Sequence, residues 1–176
     1  VYPDDQLASP VLGFRMSMKD GEPQYGLEQY WDPELAGVEG VWRGVSDLWG
    51  QQILVDERGY EPAQDGADLL LTLDRNVQHK AEQVLQATTE QFQAVDGQII
   101  VLDPQTGGIL AMADYPGYSP GRYWEVDSAT AYVNGAISSQ YEPGSVFKPL
   151  TLAAALEARV IRPPDTYDDR GEIIVG

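Results

Sequence analysis

Ser145 and Lys148, three residues apart, are the side chains in this chain whose types and spacing could carry out covalent chemistry. They lie in Tyr141-Glu142-Pro143-Gly144-Ser145-Val146-Phe147-Lys148-Pro149, an S-x-x-K pattern at the head of an apolar stretch. Positions i and i+3 share a helix face, which brings the Lys148 amine toward the Ser145 hydroxyl. A serine hydroxyl is a weak nucleophile until an adjacent base takes its proton. A lysine partly buried at a helix N-terminus is disfavoured in its charged form by desolvation and by the positive end of the dipole. The free Ser145 N–H of a first turn would steady a developing oxyanion, and Gly144 would let a substrate approach the backbone.

The same four residues admit a purely structural reading, because Ser is a favoured helix cap and S-x-x-K is a short pattern. Context weighs for chemistry. Lys148 is the only Lys after Lys80, and it sits among Val146, Phe147, Leu150, Leu152, Ala153, Ala154, Ala155 and Leu156.

Composition removes the competing chemistries. The 176 residues include no Cys and one His, so thiol nucleophiles, disulfides and Cys-based zinc sites are excluded. A Ser-His-Asp triad or a multi-His metal site would have only His79 to draw on. His79 reads as a surface or boundary residue of its helix. Asp4-Asp5 and Asp168-Asp169 lack calcium-loop spacing and read as solvated charge. No metal or cofactor is implied. With Lys+Arg 11 against Asp+Glu 28, the net charge of -17 argues against nucleic acid or anionic lipid as a partner. Hydrophobic residues make up 43%, enough for a packed core rather than a disordered chain. No run approaches the roughly 18 to 20 apolar residues of a membrane span.

Two regions must position the pair. Residues 1–65 are rich in Gly, Pro and Trp, with short apolar runs such as Pro10-Val11-Leu12-Gly13-Phe14 and Gln52-Ile53-Leu54-Val55. They read as short strands and loops around a small aromatic core, with Trp31, Trp42 and Trp49 as its expected members. Asp32-Pro33-Glu34-Leu35 reads as a one-turn helix with Asp32 as cap. Glu61-Pro62-Ala63-Gln64-Asp65-Gly66 reads as a linker or turn, and from Asp68 the pattern sharpens. Leu69-Leu70-Leu71-Thr72-Leu73 is strand-like and ends at Asp74, a cap for a helix over 76–92 that places Val77, Ala81, Val84, Leu85 and Thr88 on one face. Strands over 98–103 and 109–114 flank a Pro104-Gln105-Thr106-Gly107-Gly108 turn. Polar, Tyr-rich sequence follows to about residue 126, then a helical patch over 128–138 and a last helix over 145–160. Glu172-Ile173-Ile174-Val175-Gly176 reads as a strand left without a partner, so the chain is expected to be a piece of a longer protein.

The serine segment, continuing through Thr151 to Leu156-Glu157, resembles the active-serine segment of penicillin-binding proteins, and is closest to class B, the monofunctional peptidoglycan D,D-transpeptidases. The likeness extends to Leu71-Thr72-Leu73-Asp74 with Gln78, to Val101-Leu102-Asp103-Pro104, Thr106-Gly107, Ile109-Leu110-Ala111-Met112, Pro116 and Tyr118, and to Gly13, Gly26-Leu27-Glu28, Tyr30, Asp32, Leu35 and Gly37. The resemblance implies an α+β fold. Residues 1–65 would be the C-terminal part of a small, irregular, β-rich pedestal or dimerisation module. Residues 66–176 would begin a serine transpeptidase of the β-lactamase-like type, an antiparallel sheet with flanking helices. It implies Ser145 as nucleophile and Lys148 as its base, peptidoglycan stem peptides as substrates and β-lactams as acylating ligands. It also implies divisome or elongasome membrane proteins as partners, and a place on the extracytoplasmic face of the bacterial membrane through an anchor outside this chain.

The departures from the family are specific. Its Asn-Arg-Ala is Asn134-Gly135-Ala136 here, and Gly108 stands where an acidic residue is common. Its S-x-N and K-T-G motifs are absent, so the chain by itself is expected to be inactive. A β-lactam sensor domain shares the serine motif but not the pedestal residues Gly26-Leu27-Glu28. A non-catalytic role, with residues 1–65 binding a partner, is the other alternative.

Overall fold

The computed structural model describes residues 2–16, 21–42, 45–46, 52–53, 60–166 and 171. The strand expected at 172–176, Leu54-Val55, Trp49, the Trp42 side chain and Asp168-Asp169 lie outside the described residues.

Asp74 starts the longest helix. Its carboxylate accepts from the N–H groups of Asn76 (2.8 Å) and Val77 (3.0 Å), two donors that a first turn leaves without helical partners. The helix, α4, runs Arg75–Phe92 and closes on Gln93 in a left-handed conformation. Its buried face is Gln78, Ala81, Leu85 and Thr89. The expected stripe was therefore displaced: Val84 and Thr88 are exposed, while two polar residues are buried. The reason is that their polar atoms have partners. The Gln78 amide pairs with the backbone of Met112, and the Thr89 hydroxyl donates to Leu85 O at 2.8 Å.

That face packs on an antiparallel hairpin. Strands β7 (Gly97–Leu102) and β8 (Ile109–Tyr115) pair from Gly97↔Tyr115 to Val101↔Ala111, with a register shift before Leu102↔Ile109. Ala81, Leu85, Ala111 and Ala113 form the core, edged by Val77, Ile99, Val101 and Tyr115. Small residues at 111 and 113 let the helix approach β8 closely. The run 69–73 has no regular secondary structure and joins no ladder among the described residues. It is tied to β8 by Thr72 Oγ1 donating to Ile109 O (2.7 Å) and by the following Asp74 N–H donating to Leu110 O (2.9 Å). Leu70 is 96% exposed, uncovered by the described residues.

The N-terminal region comprises α1 (Ser9–Leu12), β1 (Phe14–Arg15), β2 (Pro23–Gln24), α2 (Gly26–Tyr30), α3 (Asp32–Leu35), β3 (Val41–Trp42), β4 (Val45–Ser46), β5 (Gln52–Ile53) and β6 (Tyr60–Glu61). The ladders β1–β2, β3–β6 and β4–β5 are antiparallel and two residues long. Much of the first apolar run is thus a helical turn, with Pro10 in the first turn, where its missing N–H costs nothing. Gly13 and Gly26 have φ of +80° and +54°, and a Cβ on either would lie 2.1 Å from Tyr25 O or 2.4 Å from Val11 O. Two backbones touch there, which only glycine permits. Asp32 is the first residue of α3 rather than its cap. Trp31 occupies the cap position, and the Asp32 carboxylate instead accepts from Arg15 Nη1 at 2.7 Å.

Among the described residues the aromatic core is built from Phe14 and tyrosines, and Trp31 is not part of it. Phe14, 3% exposed, stacks on Tyr123 (4.4 Å between ring centres) and meets Tyr132 and Tyr118 at 5.1 and 5.8 Å. Trp31 is half-exposed and packs edge-on against Tyr30. The tyrosines serve because each buried hydroxyl finds a carbonyl: Tyr118 OH donates to Ser9 O (2.9 Å) and Tyr132 OH to Tyr123 O (2.5 Å). The Tyr-rich stretch is therefore a 3-10 turn, Pro120–Glu125, whose rings pack against the N-terminal segment. The helical patch divides into a 3-10 turn, Ala129–Tyr132, and α5, Gly135–Ser138.

Residues 2–16 are bonded to this body at several points. Glu82 Oε1 accepts from Ala8 N–H (2.7 Å) and from Gln78 Nε2 (2.8 Å), and Ser9 Oγ accepts from Tyr118 N–H (3.3 Å). Arg75 pairs with Asp4, and Ser119 donates to Asp5. Asp4 and Asp5 are thus partnered rather than merely solvated. The chain forms two units, Val1–Ser139 and Gln140–Gly176. The second holds a 3-10 turn, Gly144–Phe147, running into α6, Lys148–Glu157. The fold is α+β.

Candidate active site

Ser145 and Lys148 fall on either side of a helix-type junction. The expected single helix over 145–160 is a 3-10 turn followed by α6, because Pro149 in the first turn of α6 has no N–H to continue the turn before it. Ser145 is the second residue of the turn and Lys148 the first of α6; the Lys148 N–H donates to Ser145 O. In a 3-10 turn the side chains at i and i+3 eclipse, so this junction aligns the two more directly than an α-helix would. Gly144 has φ +56° and open space where a Cβ would stand, so glycine is required there by backbone conformation rather than by crowding.

Both side chains are exposed, and the partial burial expected of Lys148 is absent. The helix behind them is equally uncovered: Phe147 is 51% exposed, Leu150 61% and Leu152 54%.

Around position 134 the first unit carries a second constellation. Asn134 is buried and caps α5, its Oδ1 accepting from Ala136 N–H at 3.0 Å, while its Nδ2 lies 3.1 Å from Met112 Sδ. The Asp114 carboxylate accepts from Gly135 N–H. Burial pushes the Asp114 carboxyl above the usual carboxylate range, against the lowering effect of the Gly135 N–H. Sequence reasoning gave Asp114 no role; the signal available was an acidic residue near the end of a buried strand, opposite an Asn-Gly-Ala cap. Burial raises the Tyr118 hydroxyl strongly, which keeps it a neutral donor to Ser9. A cleft of about 500 Å³ in the first unit is lined by apolar groups, among them Leu27, Tyr30, Leu71, Tyr132 and Ile137.

Among the described residues no group of His, Asp and Glu could hold a metal ion. His79 is exposed on α4, with Nε2 3.0 Å from Gln83 Nε2. No helix among them is long and apolar enough to cross a membrane.

Comparison with known proteins gives this geometry a context. Residues 97–176 match the family described as penicillin binding protein transpeptidase domain. Stage V sporulation protein D of Bacillus subtilis is 37% identical over 172 residues, which are 97% of this chain and 26% of that protein. The peptidoglycan D,D-transpeptidase FtsI homolog of Chlorokybus atmophyticus is 40% identical over 177 residues, 99% of this chain and 25% of that protein. The crystal structure of penicillin-binding protein 2X from Streptococcus thermophilus superposes with a TM-score of 0.75 at 29% identity, covering 100% of this chain and 27% of that one. The chain spans about a quarter of the length of these relatives. Residues 97–176 are part of a penicillin-binding protein transpeptidase domain, and the chain along nearly its whole length is similar to peptidoglycan D,D-transpeptidases.

Proposed function

We propose that the full-length protein is a peptidoglycan D,D-transpeptidase that works through an acyl-enzyme on Ser145. The observation that carries this reading is the Ser145–Lys148 pair, set at i and i+3 across the junction of a 3-10 turn and α6, directly after a left-handed Gly144.

Lys148, as the neutral amine, takes the Ser145 proton while Oγ attacks the penultimate D-Ala carbonyl of a stem peptide. The terminal D-Ala amine leaves with that proton, and the acyl group stays on Oγ as an ester. The amine of a neighbouring stem then attacks the ester, forming the cross-link and returning the proton to Ser145 through Lys148. A β-lactam opens on the same oxygen by the same first step. The S-x-N and K-T-G motifs are absent from this sequence, so the 176 residues alone provide a nucleophile and base without the remaining groups.

The reading assigns residues 1–65 to the pedestal module and residues 66–176 to the first part of the transpeptidase domain. It places the protein on the extracytoplasmic face of the membrane, with stem peptides as substrates and the membrane proteins of division or elongation as partners.

Labelling with a fluorescent penicillin tests it. The full-length protein labels covalently, Ser145→Ala abolishes the label, and the isolated chain labels poorly. Undiminished labelling of the Ser145→Ala protein would remove Ser145 as the nucleophile.

A further inference from the structure

We propose that Asn134-Gly135 is a latent modification site: an asparagine set to deamidate through a succinimide, which the folded first unit holds shut by binding the attacking nitrogen to Asp114 and releases when this corner of the unit opens. Asn134 is one of two asparagines in the sequence, and the other, Asn76, precedes the β-branched Val77. Before glycine no side chain screens the peptide nitrogen and the backbone turns most freely, so an unfolded Asn-Gly reaches the ring-closing geometry readily. In the reaction the Gly135 nitrogen loses its proton and attacks Asn134 Cγ. The N–Cγ bond forms, the Cγ–Nδ2 bond breaks, and the amide leaves as ammonia with the proton. Water then opens the ring at either carbonyl, leaving aspartate or isoaspartate at position 134. The site lies within Val1–Ser139 and involves neither Ser145 nor Lys148.

Three observations carry it. First, the Gly135 N–H donates to Asp114 Oδ2. The proton that must leave is held by a carboxylate, whose charge also opposes a negative charge on that nitrogen. Second, the carboxamide is held at both ends. Its Oδ1 accepts from Ala136 N–H at 3.0 Å, its Nδ2 lies 3.1 Å from Met112 Sδ, and Asn134 is only 6% exposed. Third, ring closure needs the Gly135 nitrogen to eclipse Cβ about the Cα–C bond. Asn134 has ψ 102°, which for an L-residue turns that nitrogen well away from Cβ. The bond to Asp114 also explains why the labile dipeptide is there. A Cβ on Gly135 would stand 2.9 Å from Asp114 Oδ2 and 2.7 Å from Gln98 Nε2. Gly135 is not in a left-handed conformation, so its lack of a side chain answers to this crowding. The fold requires the residue that makes Asn134 labile and supplies the bond that restrains it. The products do not fit back into the same turn: aspartate sets a second carboxylate on the N–H next to the one Asp114 holds, and isoaspartate adds a methylene to the backbone ahead of α5.

The test uses the full-length protein, incubated in heavy-oxygen water at mildly alkaline pH. Mass spectrometry follows the peptide spanning Asn134, with the peptide spanning Asn76 as the internal control. The folded parent deamidates at Asn134 more slowly, by about tenfold or more, than the same protein unfolded in guanidinium chloride. Asp114→Leu keeps the volume without the acceptor. It speeds deamidation about tenfold, the size expected for losing one bond to a charged group, while the Met112 amide stays protected from exchange and the Asn76 rate does not change. Asp114→Asn keeps an oxygen for the Gly135 N–H without the charge, and gives a rise of about threefold; it decides the matter where Asp114→Leu does not fold. Equal rates in the folded and unfolded parent would show that the fold holds nothing shut. Parental rates in the folded Asp114 variants would overturn the role of Asp114. A product that is aspartate alone, with no isoaspartate, would overturn the succinimide route.

Discussion

The two units of this chain solve the problem of burial differently. In Val1–Ser139 polar side chains go inside because each finds a partner: Ser9 and Gln78 are 0% and 1% exposed, and both are hydrogen bonded across elements. In Gln140–Gly176 none of the described residues is buried, although α6 is among the most apolar stretches of the sequence. A helix that is hydrophobic on all sides is one that a folded protein covers on all sides. The candidate nucleophile and base thus sit on the segment with the least cover of its own. Their local geometry is set by short-range means, a left-handed glycine, a 3-10 turn and a proline, and not by packing within their unit. The relatives, about four times as long, have the chain to supply that cover.

Removing the base tests the chemical half of this contrast and should give the largest effect. Lys148→Met, in the full-length protein, is expected to slow penicillin acylation by roughly 10²–10⁴-fold, the range of a lost general base, without changing the thermal midpoint appreciably. Acylation at the parental rate would leave Lys148 as a helix residue only. The packing half is tested by a pair of truncations. Leu85→Ala opens a cavity between α4 and β8 and should cost about 2–5 kcal/mol by urea denaturation. Leu150→Ala in the 176-residue chain should cost less than about 0.5 kcal/mol, as for an exposed site. In the full-length protein the same change should cost as much as Leu85→Ala if α6 is covered there. Equal, small costs of Leu150→Ala in both would refute that cover.

Gln78 sharpens the comparison further. Its amide donates to Met112 O at 3.0 Å and accepts from Met112 N–H at 2.8 Å, acting as a short length of strand beside β8. Gln78→Leu retains the volume and leaves both backbone groups buried and unpaired. The expected loss is about 1–3 kcal/mol, together with faster exchange of the Met112 amide. Unchanged exchange at Met112 would show that water replaces the amide.

How much of this was legible in the sequence follows from how local each signal is. The Asp74 cap, α4, the 98–103 and 109–114 strands and the S-x-x-K turn were readable because capping, periodicity and turn chemistry act within a few residues. The family resemblance of the serine segment was readable for the same reason. The buried face of α4 was misplaced by one position at Gln78 and Thr89, because a polar residue reads as exposed until its long-range partner is known, and Met112 is far away in sequence. The place of Tyr118 in the aromatic core is not legible, since nothing local shows that Ser9 O awaits its hydroxyl, and of the expected tryptophans Trp31 lies outside that core. The strand expected at 69–73 has the right residue types, but pairing depends on what lies alongside, and among the described residues the run joins no ladder. Asp114 stands out as an acidic residue near the end of a buried strand, but a whole loop separates it from Gly135, so nothing local names its partner.

The smallest expected effect concerns two carboxylates at opposite ends of the β7–β8 hairpin, which should titrate in opposite directions. Asp103, in the turn, accepts from Gln105 N–H at 2.9 Å and from the Thr106 hydroxyl at 2.7 Å, and these bonds hold its carboxyl below the usual range. A depressed folded value means that the hairpin binds the proton less tightly than the unfolded chain does. Its contribution is complete above the unfolded value of about 3.9 and is lost as pH falls through the folded value. Asp114, near the other end, is raised by burial. Its ionised form therefore costs stability at neutral pH, and that cost is relieved as pH falls through its raised folded value. Carboxyl chemical shifts followed against pH by NMR would read both midpoints, Asp103 below the ordinary carboxylate range and Asp114 above it. Thr106→Val should raise the Asp103 midpoint only part of the way, because the Gln105 backbone bond is the larger cause and survives. A full return to the unperturbed value in Thr106→Val would mean that the hydroxyl, and not the backbone of the turn, holds the charge.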